Sequence, residues 1–266
     1  SNASWNPVKD NFQAWPFIYG TLATSFVALL LAVPISLGVA VFLTELCPSW
    51  LRAPLGWLFE LLAAVPSVVF GLWGIFIFLP SVVAPLGNFL ATTLGAIPIL
   101  STFFVGPMPA SGSSLLAAAF VLCIMITPTI TAISRDVFLA IPIAQREASL
   151  ALGATQWETI WKVLIPYGLS GILGAVILGL GRALGETMAV TMVVGNSIGG
   201  GSSLLRPGYT MSSIIANEFA EATTVLHSQA LIEVGLVLFS VTLLLNILAR
   251  LLVWRVRRGL SQEGHA

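Results

Sequence analysis

Residues 142–166 read Pro142-Ile143-Ala144-Gln145-Arg146-Glu147-Ala148-Ser149-Leu150-Ala151-Leu152-Gly153-Ala154-Thr155-Gln156-Trp157-Glu158-Thr159-Ile160-Trp161-Lys162-Val163-Leu164-Ile165-Pro166. Pro142 suits the first position of a helix, where its missing N–H costs nothing, and Gly153 suits a left-handed stop at the end. Thr155, with Glu158 three residues on, forms a capping box that starts a second helix. Pro166 is expected to interrupt that helix. The stretch therefore predicts a helix, a tight turn and a helix, and it is polar in a chain that is otherwise not.

Of the 266 residues, 57% are hydrophobic and only 8% are charged, with a mean hydropathy of +0.98. Soluble domains carry about 25% charged residues, so this chain belongs in lipid. The 11 basic and 11 acidic residues cancel, which leaves no field to attract nucleic acid or an anionic surface. No nucleic-acid partner is expected, and any soluble partner must be met locally. Cys47 and Cys123 lie in or beside apolar runs without metal or redox spacing and read as packing residues, so neither metal nor cofactor is expected. Ser1-Asn2-Ala3 reads as an expression-tag remnant with no signal peptide behind it.

A membrane span needs roughly 20 apolar residues. Five stretches meet this: Phe17 to Leu43, Leu55 to Leu79, Ser113 to Ile133, Gly168 to Val194 and Ala230 to Val253. In lipid every backbone polar group must be satisfied, and these runs are too long and uniform for barrel strands. An all-α polytopic membrane helix bundle is predicted. Val82 to Val105 is also apolar, but Pro85, Gly87, Gly95 and Pro98 break it into an expected loop or re-entrant piece. Alternation of five spans puts Arg52, then Arg135, Arg146 and Lys162, then Arg255, Arg257 and Arg258 on one side, which the positive-inside rule makes cytoplasmic. The other side holds Lys9 and Arg206. The expected organisation is an external tail over 4–16, a transmembrane domain over 17–254 with a cytoplasmic loop over 134–167, and a cytoplasmic tail over 255–266. An external start implies a further N-terminal span in the natural protein, unless that protein itself begins outside.

The loop resembles the cytoplasmic motif of ABC importer permeases. That motif reads Glu-Ala-x, three residues, Gly, nine residues, then aliphatic-x-aliphatic-Pro; here Glu147-Ala148-Ser149, Gly153 and Val163-Leu164-Ile165-Pro166 keep the spacing. Ser149, Val163 and Ile165 stand for a usual Ala, Ile and Leu, all small changes of volume. The resemblance extends through Val65 to Gly74, Gly181 to Ala189 and Ile215 to Ala220 to the C-type permeases of bacterial phosphate-specific importers. It implies the type I ABC importer permease fold, with the first of six spans absent here, in a bacterial inner membrane. The implied partners are a homologous A-type permease, two copies of a cytosolic ATP-binding subunit, a periplasmic phosphate-binding protein and phosphate itself. It also implies that Gln145, Arg146, Glu147, Ala148, Ser149, Leu150, Ala151, Leu152 and Gly153 dock on the ATP-binding subunit. No Gly-x-x-x-x-Gly-Lys-Ser/Thr phosphate loop occurs, and the sole lysines are Lys9 and Lys162, so energy is expected from another chain.

Arg182 and Glu186 fall near the middle of the predicted fourth span, four residues apart and so on one helix face. A charge at the bilayer centre costs roughly 2.5–3.5 kcal/mol on insertion scales. Two readings stay open: Arg182 presents its planar donor fork to passing phosphate with Glu186 orienting it, or the pair is a structural bridge to a neighbouring helix. Gly171, Ala175 and Gly179, and Gly181 and Gly185, read as close-packing positions. Thr187 and Thr191 are expected to bond back to the preceding turn, and Pro34, Pro66 and Pro128 to kink their spans. Outside, 196–203 reads as a plain loop, and Met211 to Ala222 as a short helix carrying Glu218 and Glu221. An intramembrane enzyme lacks support: His227 and His265 are the only histidines, and no hydrolase motif occurs. An A-type permease, or one for another oxyanion, is the alternative within transporters. A scaffold reporting nutrient status is a further one.

Overall fold

A computed structural model describes residues 5–7, 10–95, 97, 101–104, 106–198, 201 and 203–263, with side chains to 255. Residues 1–4 and Lys9, parts of the 96–105 and 196–203 stretches, and the side chains of Arg257 and Arg258 lie outside the described residues. Eleven α-helices are described. They are α1 (Trp15–Val41), α2 (Ser49–Ala64), α3 (Ser67–Trp73), α4 (Ala84–Thr93), α5 (Leu115–Leu139), α6 (Ile143–Ala151), α7 (Gln156–Thr159), α8 (Ile165–Gly185), α9 (Met188–Val193), α10 (Met211–Glu218) and α11 (Val225–Glu263). Wider π-helical turns extend or join them at Phe42–Leu46, Gly74–Val83 and Ile160–Leu164.

Five continuous helical stretches are long and apolar enough to cross a membrane: Trp15–Leu46, Ser67–Thr93, Leu115–Leu139, Gln156–Gly185 and Val225–Arg255. The number matches the sequence reading, but two bounds move. The second span begins at Ser67 instead of Leu55, because Pro66 holds ψ at 137° and splits α2 from α3. A residue before proline is driven out of the α region, and a hydropathy window does not register such a break between two apolar flanks. The same span runs on to Thr93, so half of the expected loop at 82–105 is helical. Pro80 lies within the π-helical turn and Pro85 at the start of α4, where a missing N–H is tolerated.

The fourth span likewise moves, from Gly168–Val194 to Gln156–Gly185. Pro166 does not interrupt it, since the π-helical turn Ile160–Leu164 precedes the proline and the helix continues through α8. Instead the break comes at Glu186 and Thr187, before the short α9. α5 is the most buried span, at 67%, against a third or less in the others.

The chain forms two compact units, Ser1–Ala28 with Val65–Met125 and Arg182–Leu243, and Leu29–Ala64 with Ile126–Gly181 and Leu244–Ala266. In the first, Trp5, Phe17, Met211, Ile214, Leu231 and Val234 pack into one core. Trp5 sets its ring edge against Phe12 and Phe17 at 4.9 and 5.1 Å, and its Nε1 donates to Glu218 Oε2 at 2.8 Å. His227 belongs to the first turn of α11, buried with Nε2 2.9 Å from the same carboxylate oxygen. Thr21 Oγ1 accepts the Met211 N–H at 2.9 Å, and beside it Gly20 lies against the Tyr209 carbonyl, leaving no room for a Cβ.

That contact separates two glycines of one helix. Gly20→Ala should destabilise the protein by about 1–3 kcal/mol through overpacking. Gly38→Ala, with nothing within 4 Å of its Cβ, should be neutral or gain up to about 1 kcal/mol of helix propensity. Thermal unfolding of the detergent-solubilised protein reads both. Equal midpoints for the two variants would contradict the packing described.

In the second unit Ala40, Val41, Phe138, Ile141, Ile160, Leu164 and Ile172 form the core. α8 lays Gly171 on Val137 and Gly179 on Ile130, with Ala175 fully buried between them. Small residues thus allow the close approach that their spacing suggested. Gly181 and Gly185 have open space at their Cβ positions and do not pack in this way. Pro34 and Pro128 lie inside α1 and α5, and those helices are cross-tied by Ser36 Oγ donating to Thr127 O at 3.2 Å and Thr131 Oγ1 to Ser36 O at 3.4 Å. The Arg135 guanidinium covers Gly56 of α2 and reaches Glu60 Oε1 at 2.9 Å. Cys47 and Cys123 are buried thiols that form no disulfide.

Candidate functional site

The polar loop folds nearly as its residues dictate. α6 covers Ile143–Ala151 with Pro142 as its N-cap, one position outside the expected place. Gly153 takes φ +86°, the left-handed stop, with nothing within 4 Å of its Cβ position. Thr155 Oγ1 accepts the Glu158 N–H at 3.3 Å while Glu158 Oε2 accepts the Thr155 N–H at 2.9 Å, completing the capping box.

α6 has two faces. Gln145, Glu147, Ala148, Leu150, Ala151, Leu152 and Gly153 are exposed, and Leu152 is 90% exposed. Arg146 and Ser149 turn the other way. Ser149 Oγ lies 2.9 Å from Thr159 Oγ1, and Arg146 Nη2 donates to Phe138 O at 2.7 Å and sits 3.0 Å from Glu45 Oε1. Seven of the nine expected docking residues therefore present a free surface, while two fasten α6 to its own chain. Glu45 was missed from sequence, although it is the sole charged residue between Phe17 and Leu46, a signal that would have found it.

The charged pair is rearranged more. Arg182 occupies the last turn of α8, and the helix ends at Gly185, so Glu186 does not share its face. The pair marks the end of α8 and the break before α9, not the middle of one continuous helix. Hydropathy ran the helix on because Met188–Val193 is apolar too. Each charged residue suits a helix end: Arg182 falls in the last turn of α8, and Glu186 Oε1 accepts the Ala189 N–H of α9 at 3.2 Å.

Around the break, hydroxyls hold the backbone. Ser212 Oγ donates to Glu186 O at 2.8 Å, Thr191 Oγ1 to Thr187 O at 2.7 Å and Thr187 Oγ1 to Gly185 O at 3.3 Å. Thr191 bonds back to the preceding turn as expected, whereas Thr187 reaches only two residues back, across the end of α8. Ser212 was not foreseen; its partner is 26 residues away and no local pattern announces it. α9 packs on α3, where Gly71 lies against Ala189 and Met192. Among the described residues no group of three or more His, Cys, Asp or Glu is placed to hold a metal ion.

A helix–turn–helix loop of this spacing set between apolar spans has counterparts among known proteins. The family model for the binding-protein-dependent transport system inner membrane component matches residues 32–258. The phosphate transport system permease protein PstC of Xylella fastidiosa is 46% identical over 257 residues, covering 97% of this chain and 78% of that protein. The chain belongs to the PstC family of binding-protein-dependent transport permeases. Its counterpart from Pasteurella multocida is 48% identical over 254 residues, 96% of this chain and 78% of that protein.

This permease also shares its fold with solved importers. The membrane chain of the inward-facing MetNI methionine ABC transporter aligns with a TM-score of 0.65 at 20% identity, covering 95% of this chain and 99% of that chain. A bacterial alginate ABC transporter aligns with a TM-score of 0.63 at 16% identity, over 91% and 79%. At those identities the likeness concerns fold alone: the permease has the all-α type I ABC importer fold and is a multi-pass membrane protein.

Proposed function

We propose that this chain is a membrane subunit of an ATP-driven phosphate importer in the bacterial inner membrane. It forms half of the translocation pathway beside a homologous A-type permease, receives phosphate from a periplasmic binding protein and couples to two copies of a cytosolic ATP-binding subunit. The observation that carries the cargo is the likeness, at 46–48% identity over nearly the whole chain, to proteins named phosphate transport permeases. The engine is carried by the exposed face of α6. The chain is read as a transport subunit and not an enzyme, since it has no nucleotide-phosphate loop of its own and the energy comes from the partner.

Within this reading, residues 134–167 face the cytoplasm, Gln145, Glu147, Ala148 and Leu150 to Gly153 dock on the ATP-binding subunit, and Arg182 and Glu186 border the phosphate path. A break in a membrane helix is tolerated where the backbone is covered by protein or lines a polar cavity, which favours an inward-facing place for the Glu186–Thr187 interruption. The test is import by the assembled complex in liposomes, supplied with ATP on the side of the ATP-binding subunit and binding protein on the other. Labelled phosphate should enter at least about tenfold faster than labelled sulfate, a preference that needs only ~1.4 kcal/mol of discrimination. Equal entry of the two anions would overturn the cargo assignment.

A further inference from the structure

Arg146 belongs by sequence to the docking helix, but its side chain is only 20% exposed, as is that of Glu45 opposite. One guanidinium group grips two other elements of its unit. Its Nη2 bonds the Phe138 carbonyl in the last turn of α5, where a cation is favoured by the helix dipole, and it faces Glu45 in the π-helical turn that ends the first span. α5 already joins α6 through Ala140, Ile141 and Pro142, so the carbonyl bond stiffens a short covalent link. α1 has no such link: the whole of α2 to α5 intervenes along the chain. Motion of α6 must reach α1 through side chains, and the charged contact is Arg146 with Glu45. Arg146 Nε and Glu45 Oε1 are buried without an aligned hydrogen bond, so this tie is Coulombic and tolerates rotation, as a joint must.

We propose that Arg146 is a positioning residue, the joint by which displacement of the coupling helix is passed to the first span through Glu45 and to α5 through Phe138 O, and that it is not a docking residue. This rests on the importer reading above. Cys47, a free and buried thiol two residues beyond Glu45, supplies a reporter that does not depend on the cargo. In the assembled complex carrying Cys123→Ser, thiol labelling of Cys47 should change between nucleotide-free and ATP-bound states, and Glu45→Gln or Arg146→Ala should remove that change. The ATP-binding subunit should still co-purify with both variants.

In the transport assay, phosphate moved per ATP hydrolysed should fall about tenfold in Arg146→Ala, the ordinary size of a lost coupling. Arg146→Lys should recover part of it, and adding Glu45→Gln to Arg146→Ala should cost nothing more. Cys47 labelling that ignores nucleotide, or that responds equally in wild type and Glu45→Gln, overturns the joint. So do additive losses in the double variant, or departure of the ATP-binding subunit from Arg146→Ala, which would make it a docking residue. Glu45→Gln is isosteric and decides the matter even if Arg146→Ala fails to fold. A wild-type complex that moves no phosphate but shows the nucleotide-dependent labelling would sink the cargo reading and leave the joint standing.

Discussion

Arg182→Ala should reduce phosphate uptake by the assembled complex roughly 10- to 100-fold, the range given by losing a charge-assisted hydrogen bond of about 1.5–3 kcal/mol. Two features of the structure sharpen this expectation. Arg182 sits in the last turn of α8, where its charge is favoured by the helix dipole. Glu186 lies beyond the helix end and spends Oε1 on the Ala189 N–H, so one of its two oxygens is committed to starting α9.

The structural and transport roles then separate by variant. Glu186→Gln keeps an oxygen for Ala189 and should hold the fold while weakening any orienting effect on Arg182, giving a partial loss of uptake. Glu186→Ala removes the cap as well and should cost about 0.5–2 kcal/mol of stability. Arg182→Lys keeps the charge but not the planar fork, and should fall between wild type and Ala. Uptake and thermal stability measured together distinguish the readings. Wild-type uptake in both alanine variants would remove the pair from the pathway and leave it as a brace for the break.

How much of this was legible depends on the range of the forces involved. The spans follow from a local property, runs of apolar residues, so their number and type were readable. Their ends were not: α2 and α3 part at Pro66, and α8 stops at Gly185, inside windows that stay apolar on both sides. The polar loop was legible almost atom by atom, because Gly153 and the Thr155–Glu158 box act within three residues of themselves. Its inward face was not. Arg146 meets Glu45 across 101 positions, and Ser212 meets Glu186 O across 26; only the fold brings such pairs together. The charged pair was misplaced for the same reason, since the four-residue spacing implies a shared face only while the helix lasts.

Leu152→Asp should detach the ATP-binding subunit on purification and abolish uptake, while the chain still inserts and folds. Leu152 closes α6 as its C-cap and is the most exposed large apolar residue of the described structure, at 90%. Burying such a side chain at an interface is worth about 1.5–3 kcal/mol, and a carboxylate in its place would have to be desolvated without a partner. Together these weaken docking by roughly 100-fold or more. Its neighbour supplies an independent probe, because Gly153 holds φ +86° with open space around it. Gly153→Val therefore places its Cβ in open space and acts through backbone strain of about 1–2 kcal/mol, which would turn Leu152 away from its present direction. Gly153→Asn, which tolerates the left-handed region, should lose far less. The series Asn, then Val, should thus lower co-purification of the ATP-binding subunit and uptake in the same order. Retention of both by Leu152→Asp would take docking away from this face of α6, because no change to its own chain's packing accompanies the loss of that side chain.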